Sequence, residues 1–309
     1  MCPSIGKTIR VGGMFSGIGA HHSALSRIMA ERPEVKFDVI FQCEFDPKTA
    51  KAYDTIHGPT MNLGDVTTVH DIGGELAVDI LYWTPPCQDI SLAGKLAGNA
   101  EGSGTRSALA YEVPRILANT PERERPRYLV FEEVPMMISS KFIGTFKDIL
   151  ARLTALGYRH SYGIMNAADY GVAQSRKRCF MISKLGGPAP PLPKPIPLTK
   201  CLRDYLEPEP VAPRYYLSEE RLKGLIWSNQ KEADACRGYR FEPREREREY
   251  RTHGHKQGRT AQDRQLREVL MMTKARSYAG RGQVCHPDGS SPTITAHLAK
   301  NIDEGLIWP

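Results

Sequence analysis

The stretch TIRVGGMFSGIGAHHSALSR, residues 8–27, contains the pattern that decides the fold of this chain. Residues 8–15 form an apolar run that is typical of a buried strand, and residues 21–32 have the composition of a helix. The glycines between them predict a tight strand-to-helix turn at which a ligand can approach the backbone closely. Such glycines often mark only a tight turn, so this pattern alone leaves ligand binding open.

Outward from this stretch, strand-like and helix-like segments alternate along the chain, with a polar Gly-rich loop at residues 91–107. Strands are predicted at residues 37–43, 79–83, 128–131 and 179–183, and helices at 109–118 and 142–156. This alternation predicts an α/β fold with a doubly wound, mostly parallel sheet of the Rossmann-like kind. Ligands of such sheets bind at the carboxyl ends of the strands.

Proline density in GGPAPPLPKPIPLT, residues 186–199, excludes a helix interior and a sheet centre. We therefore predict a catalytic domain over residues 1–190, a linker over 191–200 and a smaller irregular domain over 201–309. Residues 236–282 carry thirteen Lys and Arg against six Asp and Glu, an excess that equals the net charge of +7 of the whole chain. This window is either a solvated surface or a region of phosphate contacts.

The cysteine pattern and the hydropathy exclude several classes of protein. Seven scattered cysteines without a CxxC pair predict neither a disulfide framework nor a metal site. No apolar run reaches the length of a membrane span, and the N-terminus has no signal-peptide core. We therefore expect a cytoplasmic protein that binds neither metal nor membrane.

Chemically versatile side chains follow the predicted strands. Glu44 comes after the second strand, where nucleotide-binding folds place an acid that accepts hydrogen bonds from ribose. Cys87 lies in TPPCQDIS, residues 84–91; a lone cysteine is more often inert core, but two prolines and polar neighbours favour a positioned, exposed thiol.

Two further segments contribute charged residues. Glu132 and Glu133 follow the strand that ends in FEEV, and they either begin a solvated loop or belong to a site. Arg176 and Arg178 in QSRKR point to one side if the segment is extended, although basic runs usually lie at the surface.

In this order and at these separations, FSGIG, PPCQ, the Glu of FEEV and QxRxR resemble motifs I, IV, VI and VIII of the cytosine-C5 DNA methyltransferases. The resemblance covers residues 8–205, and the segment beyond it matches the family's target-recognition region in position. It implies methyl transfer from S-adenosylmethionine, with S-adenosylhomocysteine as product, to C5 of a cytosine flipped out of double-stranded DNA. Such enzymes occur in restriction–modification systems and in phages.

The same resemblance assigns roles to residues. It implies that Cys87 is the nucleophile, that Glu132 is the acid at the base, and that Arg176 and Arg178 hold the target ring and help to keep the thiol ionised. The residues implied to bind the methyl donor are Phe15, Gly17, Gly19, Glu44, Asp65, Pro86 and Leu109. The residues expected to contact DNA are Gln88, Ser91, Gln174, Arg240, Arg276 and Arg281.

The sequence departs from the family pattern at two places. Glu133 replaces the usual Asn, and its charge is expected to disturb the cysteine loop or to raise the pKa of its neighbour. The chain also stops at Pro309, where relatives continue into motifs IX and X. A truncated chain, a decayed protein and a split enzyme are the three explanations, and we favour a second polypeptide that supplies these motifs.

Three functions remain open at this point. The favoured one is a sequence-specific DNA methyltransferase. The alternatives are a tRNA cytosine-5 methyltransferase and a catalytically inactive DNA-binding subunit that uses the basic region alone.

Overall fold

A computed structural model describes residues 8–87, 106–200 and 202–205, together with six short strands between residues 250 and 307. The chain divides into two compact units. The first comprises residues 1–165 and 178–193, and the second comprises residues 166–177 and 194–309. The chain enters the second unit for the last time at Lys194, inside the Pro-rich segment. The inclusion of residues 166–177 in that unit was not predicted.

The first unit is built on a seven-stranded sheet with the strands β1 (Ile9–Met14), β2 (Phe37–Cys43), β3 (Met61–Asn62), β4 (Ile80–Trp83), β5 (Tyr128–Glu133), β6 (Tyr158–Asn166) and β8 (Lys177–Leu185). They lie in the order β3-β2-β1-β4-β5-β8-β6. The strands from β3 to β5 in this order pair in parallel, and β8 runs antiparallel to β5. The predicted doubly wound, mostly parallel sheet is confirmed.

Among the described residues, four α-helices accompany the strands: α1 (Ala20–Glu31), α2 (Pro47–His57), α3 (Glu112–Asn119) and α4 (Ile143–Ala155). The start of α2 is encoded locally, because Asp46 accepts a hydrogen bond from the Thr49 amide at 2.9 Å and Pro47 occupies the first turn. Gly58, with φ 87°, ends the helix.

The core is centred on β4 and β5. Trp83 and Phe131 are fully buried, and their ring centroids lie 4.5 Å apart. Phe146 of α4 stacks against Phe131 at 6.2 Å, and Ile149 and Leu153 follow it at helical spacing with no exposed surface. This packing fixes the carboxyl ends of β4 and β5, where the candidate catalytic residues lie.

The sheet order creates a switch point between β1 and β4. The chain leaves β1 toward β2 on one side, and it leaves β4 toward β5 on the other. Connections that diverge in this way open a crevice at the carboxyl ends of the two central strands, and this is where ligands of doubly wound folds bind.

The described part of the second unit contains short strands and two 3-10 helices, Ala167–Asp169 and Leu202–Tyr205. β7 (Gln174–Ser175) pairs in parallel with β13 (Ser291–Pro292). The other strands, which pair antiparallel among themselves, are β9 (Tyr250–Arg251), β10 (Gly258–Arg259), β11 (Leu270–Met272), β12 (Gln283–Cys285) and β14 (Gly305–Ile307). No helix in the described ranges is both long enough and apolar enough to cross a membrane.

Candidate active site

The turn that follows β1 has an unusual backbone conformation. Phe15 adopts φ 58°, the one positive φ of a non-glycine residue in the described part of the chain, and Gly17 and Gly19 have φ 55° and 83°. Ser16 fastens the turn to β2, because its amide donates to the Cys43 carbonyl at 3.1 Å and its hydroxyl accepts from the Cys43 amide at 3.2 Å. A positive φ costs a non-glycine residue conformational free energy, and residues with this strained backbone are typical of functional sites.

Glu44, which directly follows β2, completes this turn. Its Oε2 accepts a hydrogen bond from the Gly17 amide at 2.9 Å, and its Oε1 accepts one from the Asp46 amide at 3.0 Å. Asn62 of β3 holds the Glu44 backbone through two hydrogen bonds of 3.0 and 3.1 Å. The structure therefore brings Gly17 and Glu44, two residues expected at the donor, into direct contact, whereas the supporting Asn62 had no signal in the sequence.

The remaining predicted donor-binding residues lie around this turn or on neighbouring segments of the same unit. Asp65 uses one carboxylate oxygen to accept from both the amide and the hydroxyl of Thr67, at 3.0 and 2.9 Å. Leu109 is partly buried against the core, and Pro86 directly precedes Cys87. Phe45, which directly follows Glu44, is 75% exposed. It was not predicted, because the exposure of an aromatic residue cannot be read from the sequence.

The loop that follows β4 is tied to the turn after β1. The Thr84 amide donates to the Met14 carbonyl at 3.3 Å, and the Thr84 hydroxyl donates to the Phe15 carbonyl at 3.0 Å. Cys87 is half-buried and packs against the core. Thr84 thus links the loop that carries Cys87 with the turn after β1, a role that its place in TPPC did not reveal.

The thiol of Cys87 is protonated in the resting chain. Burial raises its pKa above the ordinary value of 9.0, and Glu133 and Glu132 raise it further, while Arg178 lowers it. Arg178 acts in the direction predicted from the sequence, but burial and the two glutamates outweigh it. The expectation of an ionised, exposed thiol is therefore corrected to a neutral, half-buried one.

Glu132 and Arg178 form an ion pair across β5 and β8. Arg178 Nε lies 3.0 Å from Glu132 Oε1, and both side chains are mostly buried, with 18% exposure for Arg178 and 26% for Glu132. Glu132 is paired with Phe180 in the antiparallel register, so Arg178 is its diagonal neighbour on the same face. Two of the four predicted catalytic residues are thus in direct contact, and both influence the pKa of Cys87.

Glu133 has the opposite orientation from Glu132. It continues the buried face of Leu129 and Phe131, it is only 3% exposed, and it lies opposite the fully buried Cys179. Burial raises the pKa of Glu133 to about 8, with a further increase from Glu132 and opposing effects from the Val134 amide and Arg178. At neutral pH Glu133 is therefore uncharged, which corrects the expectation that its charge disturbs the cysteine loop.

The other sequence-predicted residues lie in the second unit or outside the described residues. Gln174 and Arg176 are partly buried, whereas Ser175 and Lys177 are exposed, which confirms the predicted alternation. Gln174 lies in β7, and the Arg176 carbonyl accepts from the Ala167 amide at 3.0 Å. The residues outside the described ranges are Gln88, Ser91, Arg240, Arg276 and Arg281.

A metal site does not occur in the described part of the first and second units. No group of three His, Cys, Asp or Glu side chains there is arranged to hold a metal ion. Cys43, Cys87 and Cys179 are free thiols.

Comparison with known proteins gives consistent matches. The family model of the C-5 cytosine-specific DNA methylases matches residues 9–301. The orphan methyltransferase M.SssI of Spiroplasma monobiae is 41% identical over 108 residues, which are 35% of this chain and 28% of the relative. The type II methyltransferase M2.ScrFI of Lactococcus lactis subsp. cremoris is 35% identical over 162 residues, which are 52% of this chain and 43% of the relative. The matches thus span less than half of either relative.

A solved structure supports the fold. A putative DNA modification methyltransferase encoded within an Escherichia coli prophage superposes with a TM-score of 0.54, at 16% sequence identity, over 97% of this chain and 90% of that one. Identity at this level shows a shared fold and nothing further.

Proposed function

Because this chain belongs to the family of C-5 cytosine-specific DNA methylases, we propose that it methylates C5 of a cytosine flipped out of a specific duplex sequence, with S-adenosylmethionine as the donor. One observation carries this proposal. Cys87 and the Glu132–Arg178 ion pair stand at the carboxyl ends of the neighbouring parallel strands β4 and β5, and Thr84 ties the Cys87 loop to the turn after β1. A nucleophile, an acid and a fixed cation therefore share the edge of the sheet at which a donor would bind.

The residues around the turn after β1 fit the proposed donor. Each carboxylate oxygen of Glu44 accepts one hydrogen bond from a backbone amide, and its remaining lone pair can accept a hydrogen bond from a ribose hydroxyl. The exposed ring of Phe45 offers a flat apolar surface that suits adenine. Gly17 has no atom within 4 Å of the position that a Cβ would take, so a ligand can approach its backbone. S-adenosylmethionine, when bound, supplies a methyl group activated by a positively charged sulfur.

Cys87 performs the first chemical step in the proposed mechanism. Its thiolate adds to C6 of cytosine, so an S–C6 bond forms and the electrons of the C5–C6 double bond move toward C5 and the ring nitrogen N3. C5 becomes nucleophilic enough to accept the methyl group, and the bond between this methyl group and the donor sulfur breaks, which leaves S-adenosylhomocysteine. Loss of the C5 proton then restores the double bond and expels the thiolate.

Glu132 and Arg178 stabilise the charge that this addition creates. Glu132 is a carboxylate while it pairs with Arg178, so in the proposed step it first takes up the proton that the Cys87 thiol releases. The resulting carboxylic acid, hydrogen-bonded at N3, neutralises the negative charge of the ring. Arg178 holds the Glu132 side chain at 3.0 Å and adds a fixed positive charge in a mostly buried environment, where electrostatic interactions are strong. Since the resting thiol is neutral, we expect binding of the target base to promote its ionisation.

The proposal places the protein in the cytoplasm of a bacterium or of a phage-infected host. The relatives support this setting, because M.SssI and M2.ScrFI are methyltransferases of bacteria.

The function is tested with tritiated S-adenosylmethionine and either duplex DNA or tRNA. We expect label in DNA, and sequencing of bisulfite-treated DNA then identifies the methylated sequence. Label in tRNA would favour the tRNA enzyme, and label in neither, together with retained DNA binding, would favour an inactive DNA-binding subunit.

The role of Cys87 is tested by trapping. A duplex with 5-fluorocytosine at the target position cannot lose its C5 substituent as a proton, so the S–C6 bond persists as a covalent complex. Cys87→Ser should form no complex, whereas Cys179→Ala, which removes a thiol from the neighbouring core, should form it. Trapping by Cys87→Ser would disprove the assignment.

A further inference from the structure

A pair of stacked histidines supports the turn after β1 from the side of the helices. The rings of His22 in α1 and His57 in α2 lie 4.3 Å apart and nearly parallel, at 9°. His57 Nε2 lies 3.0 Å from the carbonyl oxygen of Ile18 in the turn. Because a carbonyl only accepts hydrogen bonds, this nitrogen carries the proton and donates it.

Gly19 makes room for the His57 ring. It has φ 83°, and a Cβ at this position would lie 2.4 Å from His57 Nε2 and 2.8 Å from the Tyr53 ring. Any larger residue would displace the imidazole from the Ile18 carbonyl. The second glycine of FSGIG is therefore required for packing of His57 as well as for the shape of the turn.

Tyr53 anchors the histidine pair to the core. It is fully buried, its hydroxyl lies 2.9 Å from His22 Nδ1, and its ring meets the His57 ring edge-on at 4.9 Å. Tyr53 therefore contacts both imidazoles from the core, and the two imidazoles stack on each other.

We propose that His57 is a positioning residue for the methyl donor: it holds the Ile18 carbonyl and thereby keeps the Phe15–Gly19 turn in the conformation in which the Gly17 amide meets Glu44. The His22–His57 stack makes this support weaken in acid. The inference rests on the proposed function, because that function assigns the donor to this turn.

The helix dipoles act differently on the two histidines. His57 is the last residue of α2, where the helix dipole favours a cation, whereas His22 lies in the first turn of α1, where the dipole disfavours one. Burial and the neighbouring His57 lower the pKa of His22 below its ordinary value of 6.5. A proton on one ring alone leaves the His57 Nε2 donor in place, so the support survives it.

A second proton creates two cations with ring centroids 4.3 Å apart, and their repulsion opens the stack. Asp54, one turn before His57 in α2, adds a negative charge that acts on Tyr53. Three other titratable side chains around the pair, His21, Tyr53 and Tyr82, stay neutral in this pH range. Burial lowers the pKa of His21 to about 4 and raises the pKa of Tyr53 to about 12, and burial also raises the pKa of Tyr82, which stacks on His21 at 5.4 Å. Donor affinity is therefore constant above pH 7 and falls as the pH drops through the pKa of His22, below 6.5.

Two variants distinguish the effect of the His57–Ile18 hydrogen bond from the effect of a charge on His57. His57→Leu removes the donor to Ile18, and His57→Gln keeps an N–H donor that cannot titrate. Binding of S-adenosylmethionine to the full chain is measured by calorimetry between pH 5.5 and 8. At pH 7.5 we expect about a tenfold loss of affinity in His57→Leu and less than threefold in His57→Gln, with no acid-dependent loss in either variant. His70→Leu, at a histidine whose side chain is 79% exposed, is the matched control and should behave as the natural chain.

Hydrogen exchange of residues 15–20 in the ligand-free protein gives a readout that does not depend on donor binding. At pH 7.5 it should be faster in His57→Leu than in the natural chain, His57→Gln or His70→Leu. Unchanged exchange and unchanged affinity in His57→Leu would overturn the inference. Faster exchange in His57→Leu together with no donor binding by the natural chain would instead overturn the proposed function and leave the structural role of His57 supported.

Discussion

Replacing Glu133 by Gln tests whether a neutral carboxylic acid is buried beside the nucleophile. Gln has nearly the same shape, it retains an oxygen that accepts from the Val134 amide, and it cannot ionise. Any effect on stability that depends on pH must therefore come from the lost proton equilibrium of Glu133.

The size of this effect follows from proton linkage. The pKa of Glu133 is about 8 in the folded chain, against an ordinary value of 4.5 that we take for the unfolded chain. Each pKa unit corresponds to about 1.4 kcal/mol, so keeping the carboxyl protonated costs the natural chain about 3 kcal/mol at pH 7 and about 5 kcal/mol above pH 8. The sign is that of a raised folded pKa: stability is fully present below pH 4.5 and is lost as the pH rises toward 8.

Urea unfolding at pH 4.5, 6, 7 and 8, followed by circular dichroism, measures the difference between Glu133→Gln and the natural chain. The two should have equal unfolding free energies at pH 4.5, and the variant should be more stable by about 3 kcal/mol at pH 7. Glu122→Gln changes an exposed glutamate and should give no such divergence. Equal stability of Glu133→Gln and the natural chain at every pH would refute the buried, protonated carboxyl.

Three further predictions concern the same region. Alkylation of Cys87 by iodoacetamide should rise with pH to a midpoint above 9.0, because burial raises the pKa of the thiol; a midpoint near 7, read by mass spectrometry of the Cys87 peptide, would contradict this. Arg178→Lys should lower the rate of methyl transfer at least about tenfold with unchanged donor affinity, because a point charge does not replace the guanidinium contact with Glu132; an unchanged single-turnover rate would show that this contact is dispensable. Phe131→Ala should lower the unfolding free energy by about 3–5 kcal/mol at any pH, because the ring is fully buried against Trp83. A loss below about 1 kcal/mol, measured by urea unfolding, would contradict this prediction.

The central sheet was predictable from the sequence because its strands are apolar and short, and glycine or proline bounds them. β1, β2 and β4 lie within a residue or two of the predicted bounds. The edge strand β6 was missed because only one of its nine residues is buried, so its sequence lacks the apolar run that marks a strand. α2 was missed for a similar reason, since Ala50 and Tyr53 are its only buried residues.

The sequence proposed which residues belong to the candidate site, but it could not predict the contacts between them. The motifs placed Cys87 and Glu132 at strand ends, which parallel strands bring to one edge. The Glu132–Arg178 pair, in contrast, depends on the antiparallel register between β5 and β8, and no local pattern encodes which residues of two distant strands become diagonal neighbours.

The different fates of Glu132 and Glu133 follow from the two-residue period of a strand. The prediction ended the strand at Phe131 and placed both acids after it, either at the start of a solvated loop or in a site, so their directions were undetermined. β5 in fact continues through Glu133. Once the alternation of Leu129 and Phe131 is extended by two residues, Glu133 must face the core and Glu132 the opposite face. Identical side chains in adjacent positions thus become a neutral core acid and a charged partner of Arg178, because β5 is two residues longer than its apolar run.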